Sequence, residues 1–124
     1  MRAASGPARG RWAEAVAAEY LAALGYQILT RNYRCRRGEI DLVARHGSCL
    51  VFIEVKARRR GVPDSLEAVD GRKRRRIVGA ALDYLARRRL VGVTVRFDVV
   101  AVQLDGQGRP VKVHLIQDAF SAHV

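Results

Sequence analysis

The chain has 124 residues, of which 49% are hydrophobic and 28% are charged, a balance typical of one soluble globular domain. No apolar run is long enough to span a bilayer, and the N-terminal segment lacks the apolar centre of a signal peptide, which argues against a membrane or exported protein. A formal net charge of +11 favours a polyanionic partner: nucleic acid is the leading candidate, and a membrane surface or an anionic protein comes second. We therefore expect a cytoplasmic protein that binds nucleic acid and not membranes.

The predicted elements follow the order α-β-β-β-α-β-β. We expect residues 1–9 to form a flexible N-terminus and residues 10–124 to form a single domain. Helices are predicted at 11–24 and 72–90, and strands at 26–33, 38–45, 49–58, 93–104 and 111–116. A basic loop at 59–63 and a short helical turn capped by Asp64 or Ser65 are expected before the second helix.

Each predicted helix has a recurring set of apolar positions that we expect to face the core. In the first helix these positions are Ala13, Val16, Ala17, Tyr20 and Leu24, and Gly25 is expected to end the helix. In the second helix they are Val78, Ala81, Leu82 and Leu85.

Four charged residues interrupt the second and third predicted strands, which are otherwise apolar: Glu39, Asp41, Glu54 and Lys56. Gly47 and Ser48 between the strands predict a two-residue type II′ hairpin turn. In that register one face is apolar throughout, formed by Ile40, Leu42, Ala44, Val51, Ile53 and Val55. On the other face Asp41 lies opposite Glu54, and Glu39 lies opposite Lys56.

Directly opposed carboxylates repel each other, and a bound divalent cation would remove that conflict. Hard cations such as Mg²⁺ or Mn²⁺ prefer carboxylate oxygens, and Lys56 lies on the same face as Glu54. The pattern therefore predicts a site for metal-assisted phosphodiester hydrolysis. The alternative is a surface salt-bridge cluster, in which Glu39 pairs with Lys56 while Asp41 and Glu54 are exposed.

Several segments in the same order, "GEIDLVAR", "VFIEVKAR", "EAVDGRKRRRI" and "RFDVVAV" among them, resemble the YraN-type family of small bacterial proteins. That family is grouped with the restriction-endonuclease-like, PD-(D/E)xK superfamily and is similar to archaeal Holliday-junction resolvases. The resemblance spans residues 10–120 and implies an α/β fold with an αβββαβ core, in which helices flank a mixed central sheet.

By the same resemblance, Asp41 and Glu54 match the two acidic positions of the motif, and Lys56 matches its lysine. Glu14 matches the additional acid that resolvase-like members place near the metal. The resemblance thus implies Asp41, Glu54 and Glu14 as metal ligands. Taken by itself, Glu14 is equally explained as an acid near the N-terminus of a helix, where the helix dipole favours negative charge.

Two basic runs are candidates for contact with nucleic acid. One run occupies the first turns of the second helix, where the dipole disfavours cations, and comprises Arg72, Lys73, Arg74, Arg75 and Arg76. The other follows the motif lysine and comprises Arg58, Arg59 and Arg60. Phosphate contacts would account for both runs, and a solvated surface is the alternative. Asp98, inside an apolar strand, is expected to pair with Arg96 or with a neighbouring strand's arginine.

Three functions remain open at this point. The first is a Mg²⁺-dependent endonuclease acting on DNA, with branched or structured DNA as a candidate substrate. The second is a non-catalytic nucleic-acid-binding module on the same fold, and the third is a protein-interaction domain. Because cutting both strands needs two active sites, we expect a weak homodimer or a monomer in solution, with the homodimer favoured on branched DNA.

Overall fold

The computed structural model describes residues 7–59 and 71–121, apart from the side chains of residues 7–11 and 59. The predicted turn at Asp64 or Ser65 and the predicted contact residue Arg60 lie outside the described residues. The elements are α1 (Pro7–Ala23), β1 (Gln27–Cys35), β2 (Gly38–His46), β3 (Cys49–Arg59), α2 (Gly71–Arg87), β4 (Thr94–Leu104) and β5 (Pro110–Phe120). Their order is the predicted one.

The ends of both helices follow from backbone geometry at one residue each. Gly25 has a φ of 92°, and the N–H of Tyr26 bonds to the carbonyl of Leu21, which together close the C-terminus of α1 as predicted. At the end of α2, Arg89 has a φ of 54°, and the N–H of Leu90 bonds to the carbonyl of Leu85. This turn ends α2 at Arg87, three residues before the predicted end.

The five strands form one sheet in the order β1-β2-β3-β4-β5. β3 and β4 are parallel, because α2 connects them across the sheet, and the other three pairs are antiparallel. The predicted mixed α/β fold with an αβββαβ core is therefore confirmed. Neither described helix is long and apolar enough to cross a membrane.

The two helices cover opposite faces of the sheet, and each face has its own core. On the α1 face, Ala17 and Leu21 pack against Leu42 and Ile53 in the central strands. On the α2 face, Ile77 and Tyr84 pack against residues that include Phe52, Val43 and Phe97. Successive residues of β3 alternate between the two cores, as the two-residue period of a strand requires.

Two predicted core positions are wrong. Leu82 is 48% exposed, because the buried side of α2 is centred on Ile77, Ala81 and Tyr84. Leu24 is 47% exposed, because it lies beyond the end of α1 at Ala23. The remaining predicted core positions are buried or half-buried.

The predicted hairpin register between β2 and β3 is confirmed near the turn. Leu42 pairs with Ile53 and His46 pairs with Cys49, while Gly47 has the positive φ, 60°, that a type II′ turn needs at its first position. Ile40 was predicted on the same face as Leu42, but it packs in the α2 core. The change of face falls at Asp41, at the level of Asn32 in β1, whose backbone has a φ of 54°.

Candidate active site

A cavity of about 250 Å³ opens where the central strands β2 and β3 meet both helices. It is lined by charged residues from α1, β2, β3 and the first turns of α2, with two apolar neighbours: Glu14, Glu39, Asp41, Glu54, Val55, Lys73, Arg76 and Ile77. Three of the predicted catalytic residues, Glu14, Asp41 and Glu54, thus share one cavity. The change of face in β2 is what presents Asp41 here, between the two cores.

Asp41 is half-buried and has a backbone partner on the neighbouring strand. Its Oδ2 accepts a hydrogen bond of 2.8 Å from the backbone N–H of Val55. The regular pairing of β2 with β3 ends at Leu42 and Ile53. Just beyond that point, the Asp41 carboxylate accepts a hydrogen bond from the backbone of β3. This contact fixes Asp41 beside Glu54, the residue that precedes Val55.

Glu54 is the most buried acid of the cavity, with 7% of its side chain exposed. Its Oε1 lies 2.9 Å from Nζ of Lys73 on α2. Burial, together with the nearby charge of Asp41, raises the pKa of Glu54 to about 7, although Lys73 acts in the opposite direction. Burial alone would lower the pKa of Lys73, but its bond to Glu54 outweighs that effect and raises it.

Glu14 is half-buried and reaches the cavity from α1. Burial and the charge of Asp41 raise the pKa of Glu14 to about 7, and a hydrogen bond from Asn32 opposes the rise. Its Oε1 is buried and has no hydrogen-bond partner. A buried carboxylate oxygen without a donor is costly, and a bound proton or cation would compensate it.

The electrostatics of the cavity follow from how closely its carboxyl groups lie. Glu14, Glu39, Asp41 and Glu54 all line the cavity, and Lys73 bonds Glu54, so ionising every carboxyl group near neutral pH carries a cost. Burial and the negative charge of Asp41 therefore raise the pKa of both Glu14 and Glu54. A cluster with this property takes up either protons or a divalent cation.

The residue types fit a hard divalent cation, because carboxylate oxygens are its preferred ligands and Glu14 offers one without a partner. In their present positions, however, no three Asp, Glu, His or Cys side chains within residues 7–59 and 71–121 are arranged to hold a metal ion. Asp41 accepts the backbone N–H of Val55 through one of its oxygens, whereas Glu54 is bonded to the ammonium of Lys73. The candidate ligands are present, and one of them is engaged by a cation.

Lys56, the fourth predicted catalytic residue, is half-buried on β3, two residues after Glu54. It is not one of the described residues that line the cavity, whereas Lys73 is. Glu39, which was expected opposite Lys56, lies at the exposed rim and pairs with Arg34 at 3.4 Å. A lysine of α2, Lys73, therefore contacts the buried acid of the cavity directly.

The basic run of α2 divides into residues with different surroundings. All four of Arg72, Lys73, Arg75 and Arg76 are exposed, and of these Lys73 and Arg76 line the cavity. Arg74 is half-buried, and its guanidinium lies 5.7 Å from the centre of the Phe120 ring in β5. In the other run, Arg58 is half-buried and Arg59 ends β3.

A glycine positions the start of α2 against the sheet. A Cβ placed on Gly38 would lie 2.2 Å from the carbonyl oxygen of Arg76, a separation that no side chain tolerates. Arg37, the residue before Gly38, packs against Gly79 of α2. A Cβ added to Gly79 would lie 3.1 Å from the Cβ of Arg37. These contacts hold Lys73 and Arg76 beside the acidic residues and place Arg37 of the β1–β2 turn against α2.

Asp98 has the structural role predicted for it. It is fully buried, and Arg96 donates two hydrogen bonds of 2.9 Å to its two oxygens. Tyr26 and the backbone N–H of Asp118 complete its bonding, at 2.8 and 2.9 Å. A carboxylate satisfied on every side by donors contributes to folding and is not a candidate catalyst.

The sequence did not indicate one residue of the site, Asn32, and did not indicate the contact that Lys73 makes. Asn32 donates to Glu14 and sits at the positive φ where β2 changes face, a conformation that asparagine tolerates better than most residues. Lys73 was predicted for phosphate contact, and its bond to Glu54 was not foreseen. A signal was present, since Lys73 is the single lysine in a run of arginines.

Comparison with known proteins agrees with the family resemblance. The profile described as "Uncharacterised protein family UPF0102" matches residues 13–102. A UPF0102 protein of Moorella thermoacetica is 53% identical over 115 residues, covering 90% of this chain and 94% of the relative. UPF0102 proteins of Syntrophus aciditrophicus and Frankia casuarinae are 48% and 49% identical, covering 90% and 91% of this chain and 87% and 96% of those relatives. The matched region contains Glu14, Asp41, Glu54 and Lys73, and this chain belongs to the UPF0102, or YraN-type, family.

Proposed function

We propose that this protein is a metal-dependent endonuclease that acts on DNA, on a restriction-endonuclease-like fold. The observation that carries the proposal is the convergence of Glu14, Asp41 and Glu54 in one cavity whose wall also holds Lys73 and Arg76. Acidic residues that serve only as surface charges are not expected to come together from three separate elements, because their proximity makes ionisation costly. A net charge of +11 supports a polyanionic substrate.

The metal would be Mg²⁺ or Mn²⁺, held by Asp41, Glu54 and Glu14. Such an ion supplies positive charge to the reacting phosphate and lowers the pKa of water at the site. The protein's own part is to orient the carboxylates, which Asp41 achieves through the backbone of Val55. Lys56, on the strand that carries Glu54, is the further candidate for stabilising the charge that develops on the phosphate.

The nucleic acid would approach across the rim of the cavity, where α2 meets the β1–β2 turn. The exposed Arg72 and Arg75 and the cavity residue Arg76 offer cations to phosphates on one side of the opening. Arg58 and Arg59 extend from the strand of Glu54, and Arg60 is assigned to the same contact from sequence alone. These cations bind the backbone and not base edges, which favours recognition of DNA shape, including branched DNA.

A weak homodimer that DNA favours is part of the proposal. The described residues form one cavity of this kind, so a second copy of the chain would be needed to cut both strands of a branched substrate. β1 and β5 are the edges of the sheet, so each offers unpaired backbone groups to another chain. The positive charge of each copy opposes association until DNA neutralises it.

The test is a cleavage screen with purified protein on linear, flapped and four-way DNA, each with Mg²⁺, with Mn²⁺ and with EDTA. We expect cleavage only with metal, and none by Asp41→Asn or Glu54→Gln, both of which should still bind the same DNA. Glu19→Gln, which changes an exposed acid of α1, is the matched control and should cleave like the wild type. Cleavage that survives in Asp41→Asn would reject the proposed site.

One observation favours the second function, a nucleic-acid-binding module without catalysis. Asp41 and Glu54 both have partners within the protein, so a purely structural role satisfies their bonding without metal. That function predicts DNA binding that weakens steeply with salt and does not depend on Mg²⁺. A chain that neither binds DNA nor takes up metal would leave the third function, a protein-interaction domain.

A further inference from the structure

Lys73 differs from the other cations at the start of α2 in what it contacts. Its ammonium lies 2.9 Å from Oε1 of Glu54, inside the cavity, while half of its side chain remains exposed. Arg76 lines the same cavity, and no ion pair between it and Glu54, Asp41 or Glu14 is present in the described part of the chain. Lys73 is therefore bonded directly to the buried carboxylate of Glu54, and Arg76, which has the same charge, lies close by.

We propose that Lys73 is a positioning residue that holds Glu54 in place of a metal ion and must release it before the metal binds. The inference rests on the proposed function, since it concerns the same metal site. It assigns Lys73 a task that the other basic residues of α2 lack. Phosphate binding explains a cation at the rim, but not one bonded to the most buried acid of the cavity.

The bond is arranged so that the lysine, and not the glutamate, can move. Glu54 is 7% exposed on a central strand whose neighbours pair on both sides, so its carboxylate has little room. Lys73 is 50% exposed on a flexible side chain near the start of α2, so water is available to its ammonium as soon as it turns outward. Leaving Glu54 costs Lys73 little solvation, whereas moving a buried carboxylate to water would disrupt the core.

The same bond accounts for the absence of a ready set of metal ligands among the described residues. Asp41 is fixed by Val55, and Glu14 has an oxygen without a partner, so both can serve without a change of partner. Glu54 offers its Oε1 to a metal only when Lys73 leaves. Released from Glu54, the ammonium lies at the mouth of the cavity, where the phosphate of the proposed substrate enters.

The test compares Mn²⁺ binding, measured by electron paramagnetic resonance at one pH, for the whole chain and three variants. Lys73→Met should bind Mn²⁺ at least tenfold more tightly than the wild type, because no ammonium competes for Glu54. Lys73→Arg, which keeps a competing cation, should bind no more tightly than the wild type. Arg76→Met removes the same charge from the same cavity without removing the bond, and its affinity should rise by less than threefold.

A second measurement is the melting temperature of the protein, first without metal and then with Mn²⁺. Lys73→Met should have a lower melting temperature than the wild type in EDTA and should regain more of it when Mn²⁺ is added. The inference is overturned if Lys73→Met binds Mn²⁺ no more tightly than the wild type, or if Arg76→Met gains as much. If neither wild type nor Lys73→Met binds Mn²⁺ at millimolar concentration, the proposed metal site itself fails, and this inference fails with it.

Discussion

The burial of Glu54 predicts how the stability of the metal-free protein changes with pH. The carboxyl group is 7% exposed, and burial beside Asp41 raises its pKa from 4.5 to about 7. The folded protein therefore keeps this proton at pH values where the unfolded chain has released it. The stabilisation is complete below about pH 4.5 and is lost as the pH rises through 7, so the free energy of unfolding should fall over that interval.

The magnitude follows from the same values. Each pKa unit corresponds to about 1.4 kcal/mol, so a rise from 4.5 to about 7 gives up to about 3 kcal/mol between pH 5 and pH 8. Glu14 shifts in the same direction, and its greater exposure means that solvent screens more of its contribution. We therefore assign the calculated change to Glu54 alone.

Glu54→Gln isolates this effect, because glutamine keeps the shape of the side chain and cannot ionise. Urea unfolding in EDTA at pH 5, 6, 7 and 8 should show the stability of the variant, relative to the wild type, increasing by about 3 kcal/mol across the series. Glu19→Gln should run parallel to the wild type, since Glu19 is exposed on α1. Parallel profiles for Glu54→Gln and wild type would refute the argument that Glu54 is held protonated by its surroundings.

Four further predictions concern the surroundings of the site. Arg74→Ala should lower the free energy of unfolding by about 0.5–1 kcal/mol, because its guanidinium packs over an aromatic ring of β5, and no loss in urea unfolding would contradict that contact. Arg75→Ala should leave stability unchanged and reduce the log–log salt dependence of DNA binding by about 0.9, whereas an unchanged slope would mean that this exposed residue touches no phosphate. Gly38→Ala should cost about 1–3 kcal/mol, since its Cβ would lie 2.2 Å from a backbone oxygen of α2, and a variant as stable as the wild type would show that α2 shifts freely. Asp98→Ala should cost about 3–5 kcal/mol by leaving the guanidinium of its partner without a counter-ion, and thermal unfolding near the wild-type temperature would contradict a buried, fully bonded role.

The structural features that the sequence predicted correctly are those that depend on local residue chemistry. The order of elements follows from the change between helical and strand periodicity, and Gly25 and Gly47 marked a helix end and a hairpin turn because both need positive φ. The hairpin register followed from the turn, since a slip of one residue would exchange the two faces. The helical periodicity was ambiguous at Leu82. The predicted buried face of α2 therefore differed from the observed face by part of a helical turn.

The sequence by itself determined that acids lie at Asp41 and Glu54 within apolar strands, that cations begin α2, and that the chain is a small α/β protein with a strong positive charge. Only the tertiary structure decided which of these charges meet. Glu54 bonds Lys73 because α2 crosses the face of the sheet and Gly38 lets its first turns approach the strand, a contact between residues 19 positions apart in the chain. Asp41 enters the cavity because β2 changes face at the level of Asn32, and no period of two or 3.6 residues records such a change. Long-range contact and local twist depend on how the elements pack, which is why the cavity and its charge balance became visible only in the folded chain.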